Sequence, residues 1–209
     1  MRAEVVLFIQ GTKDYERQVK TMNVYDFDNT IYRGETGVDL FLYYLKRDPK
    51  LLAAIPWALN CITRYKARLI TLDQAIEDYS GVIEDYCRGI EDIDGDIEKF
   101  WDKNSCKIKS FYLRQRRDDD VILSACVDVV LEEICRRLNI KNYIATETDV
   151  ETRKLISFCY RENKVKAFRE KYPDAVIENF YTDSYNDKPM IELAQNAFIV
   201  KGDKITKIK

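Results

Sequence analysis

Residues 22–30, Met22-Asn23-Val24-Tyr25-Asp26-Phe27-Asp28-Asn29-Thr30, decide the fold. Val24, Tyr25 and Phe27 have the apolar, β-favouring character of a short strand, after which the chain breaks into polar residues and Gly34. Asp26 and Asp28 stand at the end of that strand with one residue between them. Open α/β sheets place their ligand sites outside the carboxyl ends of strands. Two acids held that close repel unless a cation neutralises them, and a hard divalent metal with oxygen ligands is the usual partner. Asp, Asn and Gly are also ordinary turn residues, so the stretch read alone equally admits a plain turn.

The rest of the chain narrows the chemistry. Its 209 residues suit one domain, or one domain with an insertion, and 46% apolar against 33% charged residues is ordinary globular composition. A net charge of −2 gives no bulk attraction for nucleic acid. The sequence has no histidine, which excludes Ser-His-Asp and Cys-His catalysis, His-ligated zinc and imidazole acid–base chemistry. Six cysteines without a CxxC pair read as buried free thiols of a reducing, cytoplasmic compartment. Residues 1–21 read as an N-terminal extension, a short extra strand or a loosely held arm. Its apolar run Val5–Ile9 is too short for a signal-peptide core or a membrane span, so no stable membrane insertion is expected.

From Gly34 to about residue 100 the pattern is helical. Val38, Leu40, Phe41, Tyr44 and Leu45 mark one amphipathic helix, ended by Asp48-Pro49. A second is expected over about 51–69, interrupted by Pro56. A third starts at a capping box of Thr71 with Gln74 and reaches Cys87, and a fourth begins near Asp94. Beyond residue 100, strands alternate with helices: Val121–Ser124, Tyr143–Thr146, Leu155–Cys159 and Val176–Tyr181, then a hairpin of Phe198–Val200 and Ile205–Ile208. Asp118-Asp119-Asp120 reads as a solvated approach to the first of these. The alternation predicts an α/β protein, a doubly wound Rossmann-like, mostly parallel sheet formed by 1–35 and 101–209, with 36–100 inserted as an all-helical lobe.

In parallel topology the strand ends share one rim. That rim collects Asp26 and Asp28, then Ser124, then Lys164 at a helix start, then Asp183 and Asp187. Singly, the serine reads as a helix cap, the lysine as surface and the last acid pair as dipole compensation. Together they make a complete site. It has a carboxylate nucleophile, a second carboxylate for proton transfer, a hydroxyl and a cation for phosphate oxygens, and acids for Mg²⁺.

With these residues in place, the sequence resembles the haloacid dehalogenase superfamily, in the branch with phosphoserine phosphatase whose helical cap lies between the first and second motifs. Asp26-Phe27-Asp28-Asn29-Thr30 matches the DxDxT motif, and Val121–Ser124 matches a hydrophobic strand ending in Ser or Thr. Lys164 matches the lysine motif, and Thr182-Asp183-Ser184-Tyr185-Asn186-Asp187 resembles the acidic fourth motif. The resemblance implies a Mg²⁺-dependent phosphatase acting on a small phosphorylated metabolite. Asp26 would be the nucleophile and Asp28 the acid and base. Thr30, Ser124, Lys164 and Asn186 would contact phosphate, and Asp26, Asp28 (through its carbonyl), Asp183 and Asp187 would serve the metal. Members acting as dehalogenases lack an acid at the Asp28 position. Glu35 falls where phosphoserine phosphatases carry an acid that meets the substrate. Asn29 replaces their usual serine, Arg161 stands where glycine is common before the lysine, Thr182 replaces a glycine, and Lys188 follows the last Asp in place of an apolar residue. Two other readings share these residues: a phospho-signalling module, although receiver domains lack an inserted cap, and a non-catalytic family member acting as a binding or scaffold protein.

Overall fold

Parallel pairing spreads from a central strand in both directions. In the computed structural model, which describes residues 20–152 and 154–209, β1 (Thr21–Tyr25) lies between β2 (Val121–Val127) and β5 (Val176–Thr182). The expected extra strand or arm within 1–19 lies outside the described residues. With β3 (Asn142–Thr148), β4 (Leu155–Ser157), β6 (Asn196–Lys201) and β7 (Lys204–Lys207), the sheet runs β4-β3-β2-β1-β5-β6-β7. Its five inner strands are parallel, and the two edge strands, β4 and β7, are antiparallel to their neighbours. The seven-stranded, mostly parallel α/β architecture agrees with the fold expected from sequence. Gly202, at φ 59°, makes the tight β6–β7 turn.

Period-two alternation in β1 explains why both faces are covered. Met22 and Val24 join one buried cluster with Phe168 of α7 (Glu162–Lys171) and Met190 of α8 (Lys188–Leu193). Tyr25 and Phe27 join the opposite cluster with Val130, Leu131 and Ile134 of α6 (Asp128–Arg137) and Phe111 and Tyr112 of α5 (Ser110–Gln115).

Between β1 and β2 the chain forms α1 (Thr36–Leu45), α2 (Ile55–Lys66), α3 (Leu72–Arg88) and α4 (Ile93–Asn104). The capping box at Thr71 forms as the sequence predicts, each partner's side chain bonding the other's backbone N–H. The single helix expected over 51–69 is instead two pieces, a 3₁₀ segment Pro49–Ala54 and then α2. Pro56 occupies the first turn of α2, where a missing N–H costs nothing, so it starts a helix and does not interrupt one. α4 crosses the expected lobe boundary at 100/101. Its Ile97, Phe100 and Trp101 sit in the core cluster on the Tyr25 face, and Trp101 Nε1 donates to the Val130 carbonyl at 2.8 Å.

Two smaller expectations fail. Asp120 is buried, its Oδ2 accepting the Arg117 backbone N–H at 2.7 Å, so the acid run turns inward at its last residue. Cys61, Cys135 and Cys159 are buried as expected, but Cys87 and Cys126 are half-buried and Cys106 is exposed, on a short 3₁₀ turn after α4. Among the described residues no helix is long and apolar enough to cross a membrane.

Candidate active site

Chain order places the site. After β1 the sheet grows to β2 and β3 on one side, then returns to β5 on the other, so the strand order reverses at β1. Such a switch point opens a crevice at the carboxyl ends of the strands. Asp26 follows β1 there, its N–H bonded to the Tyr181 carbonyl of β5 at 2.9 Å. Tyr25 is level with Ile122 and with Tyr181, so Ser124 and Asp183, each two residues further on, reach the same rim from either side.

Asp26, Lys164 and Asp187 form a buried chain. Lys164 Nζ donates to Asp26 Oδ1 at 2.7 Å and lies 2.9 and 3.0 Å from the two Asp187 oxygens. At 3% exposure Lys164 cannot be a solvated surface cation. Thr30 Oγ1 donates to the other Asp26 oxygen at 3.1 Å, and Thr182 Oγ1 donates to Asp187 Oδ2 at 2.8 Å. A glycine at 182 could not supply that hydroxyl, so the departure from the family pattern buttresses the site. Burial pushes the Asp26 carboxyl up to about 7, with Lys164 pulling it down and Asp187 and Asp28 adding to the rise. Lys164 is raised above its ordinary value because the pull of Asp26 and Asp187 outweighs its desolvation.

Asp28 is held separately. Thr36 donates to it twice, from its backbone N–H at 2.8 Å and from Oγ1 at 2.8 and 3.0 Å to the two oxygens. Burial still raises Asp28 above the ordinary carboxylate range, against those hydrogen bonds. Asp183 is also raised, by burial first and then by Asp187, while Lys201, Lys164 and Lys109 oppose. Glu35 accepts from the Asn29 side chain and is raised by burial and by the charges of Asp28 and Asp183, so it belongs to the same acid group. Ser124 is buried, and its Oγ accepts the Cys126 N–H at 3.0 Å. Asn186 is exposed on the turn Tyr185–Asp187, its N–H donating to Ser184 Oγ at 3.1 Å. Lys188 is on the surface, 3.6 Å from Glu192.

Two site residues escaped the sequence reading. Thr36 orients Asp28, and its only signal was a hydroxyl at the first position of a helix. Lys109 is buried, and its ammonium donates to the Asn29 carbonyl while its N–H bonds the Ile31 carbonyl at 2.8 Å. It thereby props the loop in which Asn29 takes φ 58°, a conformation Asn tolerates better than most residues. A lysine in a charge-rich chain carries no sequence signature of such a role.

The donor set is hard oxygen, and negative charge exceeds positive: four carboxylates, Asp26, Asp28, Asp183 and Asp187, surround Lys164. Among the described residues no three acidic or thiol side chains converge into a ready-made cage. Oxygen donors of this kind are the hard ligands that a divalent cation such as Mg²⁺ takes. Asp187 is engaged by Lys164 and Thr182, which suits a supporting position behind the ligands.

These features define a class: a Rossmann-like α/β protein with a carboxylate–lysine–carboxylate site at the switch point of its sheet. A family model for haloacid dehalogenase-like hydrolase matches residues 24–192, and the chain belongs to that family. Its fold is shared with a protein of unknown function from Bordetella pertussis Tohama I, at 18% identity, 86% of this chain and 89% of that one, TM-score 0.64. It is shared also with a phosphoserine phosphohydrolase-like protein from Francisella tularensis subsp. tularensis SCHU S4, at 17% identity, 86% and 85% coverage, TM-score 0.54. No curated protein matches the chain in sequence.

Proposed function

We propose that the chain is a Mg²⁺-dependent phosphatase that hydrolyses small phosphomonoesters through an aspartyl-phosphate on Asp26. The observation that carries this reading is the Asp26 carboxylate itself, buried at the switch point with Thr30 on one oxygen and Lys164 on the other. A carboxylate held at both oxygens loses little freedom on attack, and the nearby cation offsets charge that grows on the phosphoryl oxygens. Lys164, Thr30, Ser124 and Asn186 hold those oxygens in this reading. Asp28, fixed by Thr36 and raised by burial, keeps a proton for the leaving oxygen and afterwards takes one from the attacking water.

Asp26, the Asp28 carbonyl and Asp183 would hold Mg²⁺, with Asp187 supporting through Lys164. The bound ion supplies positive charge against the phosphoryl group and keeps Asp26 ionised near neutrality. The helices α1–α3 serve as the cap over this rim. Supporting that, the α2–α3 turn and Arg161, just before α7, line one cavity. Tyr32 OH and Lys107 both reach Asp39 of α1, at 2.6 and 2.8 Å, and tie the start of the cap to the core.

Phosphate release from 4-nitrophenyl phosphate tests this. Turnover is expected with Mg²⁺, to vanish with chelator, and to be poor with Ca²⁺, whose longer bonds and higher coordination number suit this donor set less well. Undiminished turnover after exhaustive chelation would overturn the metal assignment.

A further inference from the structure

Among the described residues four non-glycine positions have positive φ, and two of them are arginines lining one cavity. Arg161 has φ 49° and ψ −117° and is the first central residue of the turn Tyr160–Asn163, closed by Asn163 N–H to the Tyr160 carbonyl at 3.0 Å. This is type II′ geometry, in which that position belongs to glycine. Arg68, at φ 59°, follows α2. Its N–H bonds the Tyr65 carbonyl, and the Leu69 N–H bonds the Arg64 carbonyl, both at 2.9 Å. That is the helix-ending arrangement whose left-handed residue is usually glycine. Each arginine therefore holds a backbone conformation that glycine would adopt without strain.

The cavity has a volume of about 570 Å³ and is lined by Tyr65, Lys66, Arg68, Thr71, Gln74 and Arg161, among others. The lining contains three cations and no carboxylate. Among the described residues none of the three forms an ion pair, whereas Arg64, earlier on α2, lies 3.6 Å from Asp78. The Arg161 guanidinium lies 5.1 Å from the Tyr160 ring centre, which limits where it can swing. Arg161 also directly precedes α7, three residues before Lys164, whose ammonium holds Asp26.

Backbone strain at two arginines acts against the folded chain. Such strain persists where the site has work for the side chains. An anion in this cationic cavity would accept paired, charge-assisted hydrogen bonds from the guanidinium forks.

We propose that this cavity binds a second anionic group of the substrate, a carboxylate or a second phosphate, so that the enzyme acts on phosphomonoesters that carry another acidic group. The proposal rests on the phosphatase reading above.

Three aryl phosphates test it: 4-methylphenyl phosphate, 4-carboxyphenyl phosphate and 1,4-phenylene bisphosphate, compared in wild type, Arg161→Gly and Arg68→Gly by phosphate release. Glycine suits both backbone positions, so the thermal midpoints of the variants should equal or exceed that of wild type. Wild type should favour a charged substrate over the neutral one. The ratio of kcat/KM values, charged to neutral, should fall about tenfold or more in each variant, mainly through KM, as loss of charged hydrogen bonds requires. The carboxylate or bisphosphate arm that loses more identifies the anion. Ratios unchanged in both variants, with the neutral ester still hydrolysed, would overturn this inference and leave the phosphatase reading standing. No turnover of any of the three esters by wild type would overturn both.

Discussion

Lys164 sets the electrostatics of the site. It is one cation between two buried carboxylates, Asp26 and Asp187, and its removal leaves both without their principal partner. Breaking such a buried arrangement from one side costs about 3–5 kcal/mol. Lys164→Met should therefore destabilise the chelated protein strongly, and the loss should depend on pH. The Asp26 carboxyl is raised from 3.8 to about 7, so the folded state binds more protons than the unfolded chain between those values. The contribution of a raised acid is full below about pH 4 and is lost as pH rises through about 7. Removing Lys164 takes away an interaction that lowers Asp26, so the variant's deficit should be greatest above pH 7 and shrink towards pH 4. Urea unfolding in chelator at pH 5 and pH 8 reads this. An equal deficit at both would mean that Lys164 contributes packing and little charge. The same scale shows where the sequence was legible. Asp26, Asp28, Lys164, Asp183 and Asp187 could be picked out in the sequence because each lies just past a strand end or at a helix start; Ser124 was read at a strand end, although β2 runs on to Val127. Lys109 and Thr36 did not, because their importance comes from contacts with the Asn29 carbonyl and the Asp28 carboxylate that only the folded loop creates.

At the scale of elements, α4 separates the sheet domain from the helices before it. Its composition reads as one more member of a helical lobe, but burial assigns its apolar face to the core. Trp101 is fully buried, stands edge-on to Phe27 and Tyr32, and bonds the Val130 carbonyl. Trp101→Ala should cost about 3–5 kcal/mol in urea unfolding, as for other large buried side chains cut to alanine. A loss below about 1 kcal/mol, the level of ordinary surface changes, would place α4 with the lobe. Periodicity located the helix from Asp94 onward but could not say which neighbour its apolar face meets, because that is a tertiary fact. The capping box at Thr71 was legible for the opposite reason, since both partners lie three residues apart and the geometry is local. Pro56 was misread because a proline inside an apolar run looks the same whether it breaks a helix or begins one. Asp120 was misread because an acidic run gives no sign that its last member turns inward to cap Arg117.

The whole molecule is a parallel sheet whose strand order reverses at β1, and this brings residues 26, 124, 164, 183 and 187 to one rim from across the chain. Strand–helix alternation made that arrangement readable, because parallel strands with crossover helices place every carboxyl end on the same side. The antiparallel pairing of β4 was not readable, since so short a strand carries no orientation signal. The central claim is that the acid directly after β1, and not its neighbour two residues on, attacks phosphorus. Asp26 lies on Lys164 and Thr30, while Asp28 is bound by Thr36 and raised by burial, so two identical side chains stand in different environments, and on this difference rests the proposal that they do different work. The most direct measurement is single turnover of 4-nitrophenyl phosphate with Mg²⁺, quenched in acid and read by intact mass, on Asp26→Asn and Asp28→Asn. The account predicts a phosphate adduct on Asp28→Asn, with turnover slowed about 10²–10⁴-fold by loss of proton transfer. It predicts no adduct on Asp26→Asn. An adduct formed by Asp26→Asn as readily as by wild type would contradict it.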